Sequence, residues 1–243
     1  MRYVKKIIDV LKEDGIVILF RKIIRRIKFI TLSYFDYWFD LKHGVDTCGV
    51  IFPDNNPDIG NDMIETVHRY EASPVKAVCS ILKKIPIDHS TYTFIDYGSG
   101  KGRVLLLASE YSFKNIIGVE LSRRLHETAE KNLKIHKRLN QKCAQIKSVC
   151  VDAVEFKLPN DPLLIFFFTP FQGNVMERVV ENIQRSLDAF PRSVHIAWYG
   201  QRMDVMKLFS EMKNFTHQEI FSERLLSASG DYKGHLFSFN PTQ

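Results

Sequence analysis

Beyond residue 90 the chain is written in short apolar runs separated by longer amphipathic stretches. The runs at 91–97, 115–120, 145–151, 162–169 and 193–199 have the length and apolar density of buried strands. The stretches at 102–111, 122–139, 174–189 and 203–213 space their apolar residues as helices do. Two further strand-like segments, 216–222 and 235–240, are joined by a Ser/Gly/Asp loop with no helix between them. This order predicts an α/β fold: a Rossmann-like, seven-stranded, mostly parallel sheet with helices on both faces and an antiparallel last strand.

Upstream, the pattern predicts a short helix over 62–70. A second runs to residue 84, with Ser73 as its cap and Pro74 in its first turn. Residues 44–62 collect Gly, Pro, Asn and Asp and read as a loop. Residues 3–30 are helical in pattern, with Ile16, Phe20, Ile23, Ile27 and Ile30 on one face and Arg21, Lys22, Arg25, Arg26 and Lys28 around the other. The aromatics Tyr34, Phe35, Tyr37, Trp38 and Phe39 follow. Three parts are therefore expected: a basic amphipathic helical appendage (1–43), a loop that serves as a lid (44–61, with Asp46 and Cys48), and the main domain (62–243).

Charge sharpens this division. Residues 1–43 hold ten Lys/Arg and five Asp/Glu, a net +5 out of the chain's +6, so the remainder is nearly neutral. A neutral main domain argues against a dedicated nucleic-acid binder. The basic stripe has two readings, a face packed on the main domain with wet arginines or a peripheral contact with a membrane or partner. With 45% hydrophobic and 26% charged residues the composition is globular. No segment has the length of a membrane span or the form of a signal peptide, so a cytoplasmic protein is expected. The four cysteines, Cys48, Cys79, Cys143 and Cys150, lack the spacing of a zinc or iron–sulfur site, and no metal is expected.

The chemistry concentrates in Asp96-Tyr97-Gly98-Ser99-Gly100-Lys101-Gly102-Arg103, where the first long strand hands over to a helix. Alternate glycines permit a tight turn and a close approach of ligand to backbone. Helix N-termini offer unpaired N–H groups, and open α/β sheets bind ligands beyond the carboxyl ends of their strands. Glu120 ends the next strand, eighteen residues after Gly102, where a carboxylate can accept from both hydroxyls of a ribose. A Walker loop is excluded because Gly102 stands where Ser or Thr is needed. A dinucleotide fingerprint is disfavoured because Arg103 occupies its third glycine.

Asp-x-Gly-x-Gly-x-Gly after a strand, with an acid ending the next strand, resembles the class I S-adenosylmethionine-dependent methyltransferases. The resemblance spans roughly residues 60–243, the extent of the alternating pattern. It is closest to an uncharacterised bacterial group with a Gly-Val-Asp-Thr segment (residues 44–47), a Tyr-x-x-x-Pro segment (Tyr70 to Pro74) and this same turn. A more distant similarity is to the non-SET histone-type protein lysine methyltransferases. The resemblance implies S-adenosylmethionine as cofactor. The backbone of Gly98, Ser99, Gly100 and Gly102 would pass its methionine part, Asp96 would hold its ammonium, and Glu120 its ribose. Asp152 would accept from the adenine amino group, and Leu121 and Ala153 would flank the ring. Thr169, Pro170 and Phe171 would form the catalytic edge, although many amine methyltransferases carry Asn or Asp where Thr169 stands. Tyr70, Glu71, Tyr199 and His195 are the candidates for taking the acceptor's proton. The acceptor expected is an amine of a protein or small molecule. The alternatives are an NAD-type Rossmann oxidoreductase, and a membrane-surface or partner-binding protein with an inactive methyltransferase-like core.

Overall fold

The computed structural model describes residues 34–60, 68–136, 141–171, 174–200, 203–222 and 233–241. Residues 34–43 form a helix, α1. After it come β1 (Val50–Ile51), a 3-10 turn at Pro53–Asn55, β2 (Tyr70–Glu71), α2 (Val75–Lys84) and β3 (Thr93–Tyr97). The core then runs α3 (Arg103–Ala108), β4 (Asn115–Glu120), α4 (Arg123–His136), β5 (Gln145–Cys150) and β6 (Leu163–Phe167). It closes with α5 (Asn174–Ala189), β7 (Val194–Gly200), α6 (Met203–Ser210), β8 (Thr216–Ser222) and β9 (Lys233–Phe239).

The seven-stranded sheet has the order β5-β4-β3-β6-β7-β9-β8. Strands β5 to β7 are mutually parallel; β9 pairs antiparallel with both β7 and β8. The antiparallel end of the sheet agrees with the helix-free connection in the sequence. Every position of β3, β6 and β7 is buried, as strands covered on both faces require. Alternate residues supply two cores: Phe94 and Phe166 pack with α2 and α3, while Ile95 and Phe167 pack with α5 and α6. Helix α5 shows why the pattern was legible, because Met176, Val179, Val180, Ile183 and Leu187 recur at helical spacing and are the residues it buries. No described helix is long and apolar enough to cross a membrane.

Several expectations change. Tyr70 does not end a helix: with Glu71 it pairs antiparallel with Val50–Ile51, so the stretch read as a loop contributes a strand of its own. Residues 61–67, which carry most of the helix expected at 62–70, lie outside the described residues. So do the amphipathic stretch 3–30 and most of the loop joining the last two strands. Ser73 does not cap α2. The cap is Pro74, which has no hydroxyl, and the free N–H of Val75 donates instead to Asp36 Oδ1 of α1 at 3.2 Å. Helix α3 is shorter than expected, starting after a left-handed Gly102 and ending at Ala108.

Candidate functional site

Strand order reverses at β3, whose neighbours β4 and β6 lead to opposite halves of the sheet. A cleft of about 1060 Å³, open mouth included, lies at the carboxyl ends of these strands. It brings together Asp96, Gly98 and Ser99 from β3 and its turn with Glu120 and Leu121 from β4. Asp152 and Ala153 follow β5, Thr169, Pro170 and Phe171 follow β6, and Tyr70 comes from β2. Gly100 and Gly102 do not line it.

Two glycines of the turn are set by close neighbours. Gly98 has φ 75°, and a Cβ there would lie 2.5 Å from Pro170 Cβ. Gly100 has φ 53°, and a Cβ there would run into the Tyr70 ring. Both are conformations that L side chains rarely adopt. Across the sheet Thr169 is also left-handed, at φ 40°, a sparsely populated state for a β-branched residue. It turns the chain so that Pro170 faces Gly98. The Pro170 carbonyl accepts from the His68 amide at 3.2 Å, which ties the edge to the chain entering β2.

Glu120 holds the turn in place. Its Oε2 accepts from Gly100 N–H at 2.7 Å and its Oε1 from Ser122 N–H at 2.8 Å. An oxygen that takes one N–H keeps a second lone pair. Burial raises the Glu120 pKa, partly offset by those amide donors. Asp96 is 3% exposed, and no hydrogen bond from a described residue reaches its carboxylate. Burial, with the Glu120 charge beside it, holds its carboxyl well above the usual carboxylate range. A buried carboxylate facing a cleft without a counter-ion suits a cationic ligand group. The Ser99 hydroxyl, also buried and unpartnered, is a second polar atom left open in the same turn. These residues fit the ammonium and ribose that the turn was expected to meet. Asp152 uses Oδ1 to accept from Val154 N–H at 2.9 Å, so it caps a turn while lining the cleft.

The residues expected to move a proton are separated. Tyr70 lines the cleft, but its hydroxyl donates to the Thr47 carbonyl at 2.6 Å, and burial pushes its pKa up, so it walls the site. Glu71 lines the cleft and accepts from Arg69 at 2.8 Å. His195 and Tyr199 do not line it. His195 is a buried β7 residue bonded to Ser238 at 2.8 Å, and Tyr199 stacks on Phe168. The Cys48 and Asp46 loop lies behind the turn: Lys101 Nζ reaches Asp46 Oδ1 at 2.7 Å and the Cys48 carbonyl at 2.8 Å. Burial pushes the Cys48 thiol up to about 11, although Arg103 lies beside it.

Sequence reasoning missed the partners of Arg103. This side chain is 2% exposed and pairs with Asp36 at 3.2 Å and Asp40 at 3.6 Å, both from α1, while its Nε donates to Thr47 Oγ1 at 2.7 Å. Asp40 also takes the Thr47 hydroxyl and the amides of Thr47 and Cys48. The turn is thus gripped from behind by α1 and the segment after it. Asp58 was missed as well. It accepts from Ser122 Oγ at 2.8 Å and Arg124 N–H at 2.7 Å, capping α4 where Glu120 ends its strand. Partners 55 or more residues away leave no spacing signal.

Residues 66–153 match the model of a family described as Histone methylation protein DOT1, and the matched stretch contains the glycine turn, Glu120 and Asp152. No curated protein sequence matches the chain. Among solved structures, the 23S rRNA methyltransferase ErmE is 12% identical with a TM-score of 0.50 over 68% of each chain. A precorrin-6y C5,15-methyltransferase from Geobacter metallireducens is 14% identical, with a TM-score of 0.51 over 68% of this chain and 88% of its own. The cyclase SpnF is 12% identical at the same score, over 69% of this chain and 81% of its own. These likenesses show the class I methyltransferase fold, and the resemblance to non-SET histone methyltransferases stands. One neighbour is named a cyclase, so fold alone does not fix a reaction.

Proposed function

We propose that the chain is a methyltransferase that uses S-adenosylmethionine. The observation that carries this reading is the pair of buried carboxylates, Asp96 and Glu120, at one cleft beside a glycine turn, with no cation paired to either among the described residues. Asp96 holds the ammonium, the remaining lone pairs of Glu120 take the ribose hydroxyls, and Asp152 takes the adenine amino group between Leu121 and Ala153. When bound, the cofactor supplies a methyl group already activated on a positively charged sulfur. The chain's own work is to align an acceptor at Thr169–Phe171 and to exclude water. Alignment of this kind contributes about 7–11 kcal/mol.

An amine of a protein or small molecule is the acceptor we favour, supported by the family match and by the near-neutral charge outside residues 1–43. A lysine with a pKa of about 10.4 must lose its proton first, and the apolar walls formed by Ile59, Pro170, Phe171 and Val175 favour the neutral form. Of the four base candidates, Tyr70 and Glu71 line the cleft, and the Tyr70 hydroxyl is committed to the Thr47 carbonyl, which leaves Glu71.

Calorimetric titration tests the reading. S-Adenosylmethionine is expected to bind and NAD is not, and Glu120→Ala is expected to weaken binding by about 1.5–3 kcal/mol. Binding of NAD instead, or an unchanged dissociation constant in the variant, would overturn it. Tritiated cofactor incubated with a lysate is then expected to label the protein or small-molecule fraction and not the nucleic acid.

A second result follows from Asp96. Its raised pKa means that the folded, ligand-free chain keeps this proton to higher pH than the unfolded chain. Stability therefore falls as pH rises from the ordinary carboxylate range through the pKa of Asp96. A bound ammonium favours the charged form, so binding releases a proton, and affinity falls as pH drops through that same pKa. Calorimetry in two buffers of different ionisation enthalpy reads the release, which Asp96→Asn should remove. Binding without proton exchange would put the ammonium elsewhere.

A further inference from the structure

Helix α1 has its polarity reversed relative to an ordinary surface helix. Both of its acids point inward, Asp36 and Asp40 pairing with Arg103, and Phe39 and His43 are buried beside them. The outer side is Tyr34, Phe35, Tyr37, Trp38 and Leu41, exposed by 46–69%. Surface helices put their charged side towards water. Two cations lie against these rings: Lys42 is 5.3 Å from the Trp38 ring and Lys76 3.8 Å from that of Phe35.

The three-and-four spacing that ends in Tyr34, Tyr37 and Leu41 begins at Ile16 and passes through Phe20, Ile23, Ile27 and Ile30 without a break. Residues 15–35 contribute Arg21, Lys22, Arg25, Arg26 and Lys28 and no acidic residue. The face therefore calls for an occupant that is apolar inside and anionic at its surface. A second copy of the chain fits poorly, because paired helices match opposite charges along their seam, and a copy would bring a second Lys42 and Lys76 against the first. Tyrosine and tryptophan rings favour the headgroup level of a bilayer, and basic residues beside them are drawn to anionic lipid. We propose that the outer face of α1 docks on the headgroup region of an anionic membrane. This surface stands independently of the reaction in the cleft.

The full chain carries its own probe. It has two tryptophans, and Trp198 is fully buried, so a change of emission on adding vesicles reports Trp38. With phosphatidylcholine vesicles containing phosphatidylserine, the protein is expected to co-sediment and its emission to shift to the blue. Phosphatidylcholine alone should give neither effect, and added salt should weaken both. Trp38→Ser with Leu41→Ser, at two exposed positions, is expected to lower the partitioning roughly tenfold while far-ultraviolet circular dichroism stays unchanged. Three outcomes would overturn the proposal: no co-sedimentation with the anionic vesicles, co-sedimentation with unshifted emission, or a solution dimer that already shields Trp38.

Discussion

Arg103→Ala is expected to destabilise the protein by about 3–5 kcal/mol, because removing one member of a buried charge network leaves the others uncompensated. The guanidinium is 2% exposed, and its partners Asp36 and Asp40 have side-chain exposures of 20% and 10%. Little solvent is available to take over the two carboxylates. The loss extends beyond the ion pairs, since Thr47 and Ser73 also accept from Arg103. For a chain of this size it corresponds to a fall in Tm of roughly 6–20 °C. Urea unfolding of the full chain measures it. A loss below about 1 kcal/mol would show that the network is wet and contributes as exposed pairs do. Arg103→Lys is expected to fall between the two, because an ammonium cannot meet Asp36, Asp40 and Thr47 from one plane.

Gly98→Val is expected to remove cofactor binding, by at least about a hundredfold, while leaving the sheet intact. The backbone at Gly98 has φ 75°, which costs an L residue about 1–2 kcal/mol before any contact is counted. Its Cβ would then meet Pro170 at 2.5 Å, and Pro170 has little room to retreat. Thr169 before it is already left-handed and packed against Gly200, where an added Cβ would lie 2.7 Å from Thr169 Cγ2. The turn or the Thr169–Phe171 edge must shift, and both line the cleft. Calorimetry with S-adenosylmethionine, alongside far-ultraviolet circular dichroism, checks this. Normal binding by Gly98→Val would remove the cleft from consideration as the cofactor site.

What the sequence revealed and what it hid divide by range. The glycine turn and Glu120 were legible because each is fixed by its place in a strand–turn–helix unit. The cleft gathers them with Asp96, Asp152 and Thr169 because parallel strands deliver their carboxyl ends to one edge. The position of β9 between β7 and β8 was not legible, since a hairpin-like connection does not state on which side its strand inserts. Strands β1 and β2 have two residues each, too few for any alternation to show. In the sequence Arg103 marks only the missing third glycine of a dinucleotide fingerprint, whereas its charge is buried against acids 63 and 67 positions earlier, at Asp40 and Asp36. The N–H of Val75 likewise found its acceptor in Asp36, 39 residues upstream, and not in Ser73, two residues before it.

That first helix has a bearing on how the protein can be handled. Shortening the chain to begin at residue 44 would look like trimming an appendage, yet it would strand the Arg103 cation in the interior and uncap α2. The fragment left behind would start from a damaged glycine turn. Failure of such a fragment to turn over substrate would then report a lost counter-charge, whatever the removed residues contribute to localisation.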